Sequence, residues 1–121
     1  MTHGTTYNQG SIILVSFPFT DLSGKKKRPA LVISPDWFNT QYQDVVLMAM
    51  TSSYTPEELT KEKNIVCEVS SNDLQSGTIV ATSVVKISKI FTCEQSKIIK
   101  NVARLKPAKL SEIIEKLKRF I

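Results

Sequence analysis

Arg28 and Pro29 close a run of four positive charges, KKKR at 25–28, that leads straight into the apolar stretch PALVIS. An arginine presents a planar fork of donors that fits a phosphate through two parallel hydrogen bonds. Proline holds its own φ at about −65° and biases the residue before it toward an extended conformation. The guanidinium of Arg28 would therefore project from a fixed base, with Lys25, Lys26 and Lys27 as mobile attractors around it. A solvated turn carrying a stray arginine reads from the same residues. A second set of groups lies in MTSSY, 50–54, where an apolar stretch ends in Thr51, Ser52 and Ser53. Hydroxyls at such an end can hold a phosphate oxygen or a developing oxyanion, and they also begin turns very commonly.

Other chemistries are removed by what the sequence lacks. Its one histidine, His3, sits in the polar opening MTHGTTYNQ, so a pair of histidines trading acid and base roles is ruled out. The carboxylates Asp21, Asp36, Asp44, Glu68 and Asp73 are scattered, without the close spacing of a two-metal site. No Cys/His pattern has zinc spacing, and no phosphate-binding glycine loop opens a helix. A metal-free, cofactor-free reaction or a binding function remains. The net charge of +5 is uneven: residues 86–121 carry ten Lys/Arg against three Asp/Glu, whereas residues 1–85 carry six against eight. Four of those six are the run at 25–28, and clustered basic charge is the footprint of a polyanion partner.

The elements that must position these groups read mostly as strands. SIILVSFPF (11–19) is rich in Ile, Val and Phe without a helical period, with Pro18 marking an edge or an end. TDLSGKKKR (20–28) reads as a loop, PALVIS (29–34) as a second strand, and PDWFNTQYQD (35–44) as a connection with room for a short helical turn. VVLMAMT (45–51) is a third strand, buried on both faces. SSYTPEELTKEKN (52–64) is polar and breaks the sheet. IVCEVS (65–70) alternates as a half-buried strand, SNDLQSG (71–77) is a turn, and TIVATSVVKISKIFT (78–92) is one long strand or two with a bend. CEQSKIIKNVARLK (93–106) is ambiguous between a helical turn and a strand. In PAKLSEIIEKLKRFI (107–121), Pro107 suits a first helical position, and Leu110, Ile113, Ile114, Leu117 and Ile121 recur at helical spacing.

The expectation is a mainly β protein of the α+β kind, a curled sheet or partly open barrel with one C-terminal helix on it. A flexible leader over 1–9 would precede a single domain over 10–121. Cys67 and Cys93 read as reduced thiols of a cytoplasmic protein, and no apolar run is long enough to span a membrane.

GSIILVSFPFTDLSGKKKRPALVIS, followed by a strand ending in MTSS, by TSVVKISKIFT (82–92) and by the terminal helix, resembles the MazF/PemK (Kid) toxins of type II toxin–antitoxin modules. The resemblance covers roughly residues 10 to 120. It implies an SH3-like barrel of the CcdB/PemK type, a homodimer, and a metal-independent endoribonuclease that cuts single-stranded RNA to 2′,3′-cyclic phosphate and 5′-hydroxyl ends. It also implies an antitoxin whose disordered acidic tail fills the RNA groove. In that family the arginine of the R-P pair and the threonine closing the third strand are the catalytic pair, and these positions are Arg28 and Thr51 here.

RNA supplies its own nucleophile, the 2′-hydroxyl. Using arginine as a base near neutral pH would cost about 7–9 kcal/mol. Arg28 is therefore expected to donate to the pentacoordinate phosphate and is a candidate acid toward the leaving oxygen. Thr51 would hold a phosphate oxygen, with Ser52 as a weaker donor. Lys86 and Lys89 would face RNA if Val85 and Ile87 point inward. Phe17 is a candidate for stacking a base, with core packing as its alternative.

The sequence departs from the family at Ser11, where an acidic residue is usual, and at Lys89 and Phe91, where glutamine and arginine are common. Ala103 stands where a glycine is common. These positions bear on base recognition rather than on the catalytic pair. A non-catalytic toxin on the same fold, such as a CcdB-like gyrase poison, or an inactive RNA-binding relative are the alternatives.

Overall fold

A computed structural model describes residues 7–16 and 27–121. Among them the chain order is β1 (Ser11–Ser16), β2 (Lys27–Val32), α1 (Asp36–Gln41), β3 (Asp44–Thr51), α2 (Pro56–Lys61), β4 (Val66–Val69), β5 (Leu74–Gly77), β6 (Ser83–Glu94), β7 (Ile98–Leu105) and α3 (Pro107–Phe120). The strands form one antiparallel sheet in the order β4-β6-β3-β2-β1-β7-β5. This curled half-barrel with its C-terminal helix is the fold class expected from the sequence.

The runs SIILV, PALV and VVLMAM are apolar at nearly every position because the three central strands are covered on both faces. On one face Ile12, Leu31, Met48 and Met50 join Cys67, Val69, Val85, Ile87 and Ile113 of α3 in the larger core cluster. On the other, Ile13, Val15, Ala30, Val32, Val45 and Leu47 join Ile98 in a second cluster, against which Tyr7, Phe91 and Cys93 pack. The period-2 alternation of a strand sends neighbouring residues to opposite cores.

Three expectations need correction. β2 begins at Lys27, not Pro29, so Lys27 and Arg28 belong to a strand rather than to the preceding loop. The stretch 71–77, read as a turn, holds a 3-10 turn and then edge strand β5. The polar stretch 52–64 contains α2, started by Thr55, whose hydroxyl oxygen accepts from the Glu58 N–H at 3.1 Å. The ambiguous stretch 93–106 resolves into a 3-10 turn at Gln95–Lys97 and strand β7. The long strand does bend: Met50 pairs with Val85 but Met48 with Ile90, so β6 carries extra residues between the two.

Tyr7 to Gln9 are tied to the sheet. The Asn39 amide donates to the Tyr7 carbonyl at 2.7 Å, and the Gln9 amide to the Ile33 carbonyl at 2.7 Å. The fully buried Asn39 also takes the Ser34 hydroxyl, and Gln95 from beyond β6 donates to the Asn39 carbonyl at 2.8 Å. Polar side chains thus close the end of the sheet farthest from the strand ends that carry Arg28 and Thr51. No helix among the described residues is long and apolar enough to cross a membrane.

Both cysteines are free. The Cys67 thiol donates to Glu112 on α3 at 3.3 Å, and Glu112 in turn takes Lys109 at 3.0 Å. Burial first, and then the bond to Glu112, push the Cys67 thiol up to about 12. The thiol of an unfolded chain titrates at about 8.5. Its contribution to stability is therefore fully present below that value and fades as pH rises toward the folded value. Melting temperature should fall between about pH 9 and pH 11. Cys67→Ala should lose less over that interval, as read by thermal unfolding at each pH.

Candidate active site

β2 and β3 place the expected pair of residues at neighbouring strand ends. Ala30 pairs with Ala49, Leu31 with Met48 and Val32 with Leu47. The same antiparallel register, continued two residues, sets Arg28 across from Thr51. Pro29 has no N–H to offer β3, and the pairing starts one residue later, at Ala30. On its other side β2 stays paired through this stretch, Leu14 with Pro29 and Val15 with Arg28, so β1 braces the arginine's backbone. Residues directly opposite share a face, which puts Arg28 and Thr51 on the side of the second core cluster, away from α3.

Arg28 is half-buried, and its Nε is buried without a hydrogen-bond partner. None of the ion pairs among the described residues involves it. Leaving a buried donor unpaired costs roughly 1–3 kcal/mol, and among the described residues no acceptor meets this one. Thr51 is arranged in a complementary way. Its hydroxyl oxygen accepts from the Ser53 N–H at 3.1 Å, which fixes the oxygen and leaves the O–H proton free to donate. Two donors at neighbouring strand ends, on one face by the continued register, are of the kind that can grip the oxygens of a phosphate.

Other expected site residues fall differently. Ser52 is exposed at the strand end beside Thr51. Lys27 is exposed, but it is paired with Ser16 and alternates with Arg28, so it starts from the opposite face. It lines a separate cavity of about 250 Å³ with Leu14, Pro29 and Met50. Val85 and Ile87 are fully buried in the larger core, which turns half-buried Lys86 to the face of Thr51. Lys89 is exposed within the irregular stretch of β6. Phe17, Lys25 and Lys26 lie outside the described residues. Of the departures from the family pattern, Ser11 is buried, Phe91 packs on the second cluster and Ala103 is buried opposite Gly77. Among the described residues no group of three or more His, Cys, Asp or Glu side chains could hold a metal ion.

A cavity of about 240 Å³ lies beyond the end of β3, and sequence reasoning missed it. Ser52, Tyr54, Glu68, Thr82 and Val84 line it. Val84 pairs with Thr51, and Glu68 pairs with Val84, so one row of register carries the site from β3 across β6 to β4. The Tyr54 hydroxyl is buried there without a partner, and burial, then Glu62 and Glu58, raise its pKa and keep the phenol protonated. Alternation in IVCEVS shows Glu68 pointing away from the larger core, but nothing local says which strand lies beside it.

The sequence matches the family model of PemK-like, MazF-like toxins of type II toxin–antitoxin systems over residues 8–121. No curated protein sequence shows a significant match. Several solved structures share the fold. An endoribonuclease in complex with its cognate antitoxin, from a mycobacterial species, superposes with a TM-score of 0.73 at 16% identity, covering 93% of this chain and 92% of that one. An endoribonuclease from a mycobacterial species gives 0.71 at 17%, covering 95% and 90%. A MazE–MazF complex from Deinococcus radiodurans gives 0.70 at 21%, covering 96% of each chain. Such identities speak for the fold, and the family model speaks for descent: the chain belongs to the PemK-like, MazF-like toxins of type II toxin–antitoxin systems.

Proposed function

We propose that the protein is an endoribonuclease toxin that cuts single-stranded RNA without a metal ion. The observation that carries this reading is the Nε of Arg28, buried and without a partner among the described residues, at the strand end whose register leads to Thr51. The 2′-oxygen of the substrate attacks phosphorus, the bond to the 5′-oxygen breaks, and the products are a 2′,3′-cyclic phosphate and a 5′-hydroxyl. The proton lost from the 2′-hydroxyl passes to water, and the leaving oxygen gains one from Arg28 or from water. Arg28 and Thr51 lower the barrier by donating to phosphate oxygens as their charge grows.

Solved structures named as endoribonucleases, one of them with a cognate antitoxin, have this fold and support extending the activity and the partner to this chain. The antitoxin would present an acidic disordered segment to the basic surface. The active form would be a homodimer, with Lys25, Lys26, Lys86 and Lys89 drawing in the RNA backbone.

Purified protein incubated in EDTA with mixed-sequence single-stranded RNA should yield defined fragments with cyclic phosphate ends. RNA left whole would overturn the proposal, and growth arrest with broken DNA would point to a gyrase poison instead. Thr51→Val keeps the shape and loses the donor, so its cleavage rate should drop about a hundredfold, while Thr51→Ser should retain most of it. Single-turnover cleavage of one labelled RNA measures both.

A further inference from the structure

Scission at Arg28 and Thr51 leaves the cavity beyond the end of β3 unaccounted for, and its lining is unusual for this chain. The protein carries a net charge of +5, yet among the described residues no Lys, Arg or His lines this cavity. A phosphate would meet the Glu68 carboxylate there, whereas lysines line the adjoining cavities, Lys27 in one and Lys63, Lys109 and Lys116 in the other. The hydroxyls of Thr55 and Ser83 are already engaged, Thr55 in starting α2 and Ser83 in donating to the Ala81 carbonyl at 3.0 Å. Polar capacity remains at Tyr54, Glu68, Ser52 and Thr82, around an apolar patch supplied by Val84, Pro56 and Leu59. Such a lining fits a flat, neutral, partly apolar group with hydrogen-bonding edges.

We propose that this cavity receives the nucleobase next to the cleaved phosphodiester, and that Tyr54 and Glu68 select a base whose edge donates hydrogen bonds, guanine foremost. The inference rests on Arg28 and Thr51 being the pair that holds the scissile phosphate. Val84 and Glu68 continue the register row of Thr51, so a chain held at Thr51 has its neighbouring base within reach of the cavity. Sequence-selective proteins read single-stranded RNA by splaying out a base, packing it on an aromatic ring and bonding its edge. An ionised carboxylate only accepts hydrogen bonds. Guanine offers it two adjacent donors, whereas uracil offers one N–H flanked by carbonyl oxygens that the carboxylate repels. The Tyr54 hydroxyl, buried and unpaired in the free protein, gains a partner on the same edge.

The test compares RNAs that differ only in the bases flanking the scissile bond, cut by wild type, Tyr54→Phe and Glu68→Gln. Wild type should favour one flanking guanine over uracil by kcat/KM. Glu68→Gln should erode that ratio about tenfold, because the amide no longer repels carbonyl edges, and Tyr54→Phe should lower it by a smaller factor. A wild type without such a preference, or variants that keep it unchanged, would overturn the proposal while leaving the nuclease reading standing. A second arm does not depend on cleavage: an uncleavable 2′-O-methyl RNA is titrated into labelled protein, alongside a version abasic at the flanking position. Resonances of Tyr54 and Glu68 should shift with the intact RNA and stay in place with the abasic one. Shifts without any cleavage of natural RNA would remove only the nuclease activity. No shifts would remove the base pocket.

Discussion

Arg28→Met should lower the rate of RNA cleavage by about a thousandfold or more and leave the protein folded, with a melting temperature equal to or above that of wild type. Methionine keeps the apolar stem that packs at the end of β2 and removes the charge and the fork. The guanidinium makes no ion pair among the described residues, and its Nε has no partner. Removing it therefore breaks no bond among the described residues and relieves a buried donor worth roughly 1–3 kcal/mol. Function and stability then move in opposite directions, as expected where a site is held ready at the expense of the fold. Arg28→Lys should also fail. A lysine restores the charge as a single point, without the paired geometry that grips two phosphate oxygens. Cleavage of a labelled RNA and thermal unfolding of the same samples measure both quantities. A variant that cuts at the wild-type rate, or one that no longer folds, would refute this account of Arg28.

Gly77→Ala should cost several times more stability than Gly10→Ala, although both glycines have positive φ, +78° and +93°. A side chain at position 77 would meet the Val102 carbonyl oxygen at 2.1 Å and the Ala103 Cα at 2.5 Å. Those are backbone atoms of β7, held by pairing with β1, and cannot step aside. At position 10 the nearest atom is a terminal carbon of Leu110 at 3.2 Å, the far end of a side chain that can turn away. The left-handed backbone alone costs a non-glycine residue about 1–3 kcal/mol, which bounds Gly10→Ala. Gly77→Ala adds a clash that only separation of β5 from β7 relieves, and that exposes Leu74 from the core. Denaturant unfolding of the two variants should show the difference. Equal losses would mean that β5 gives way freely and does little for the sheet.

Much of this could be read from the chain before folding. Periodic signals are local, so the strands read at 11–19, 29–34, 45–51 and 65–70 and the terminal helix all stood out. The apolar run of 45–51 also announced that both faces of that strand are covered. Local chemistry picked out Arg28, from the proline behind it, and Thr51, from its place at the end of an apolar run. Edge strand β5 was missed because LQSG alternates nothing and buries only Leu74. It is a strand solely because β7 offers it a partner.

The amino-acid sequence by itself determined most of the strands and the terminal helix, and it offered Arg28 and Thr51 as groups suited to a phosphate, because rotamer, charge and alternation are properties of a residue and its immediate neighbours. The tertiary structure decided who stands beside whom. Bringing the strand ends of Arg28 and Thr51 side by side, turning Lys27 to the other face, and lining a cavity with Tyr54 and Glu68 all depend on sheet order and on the irregular step in β6. Those are fixed by burying two cores at once, a condition on the whole chain that no short stretch of it contains.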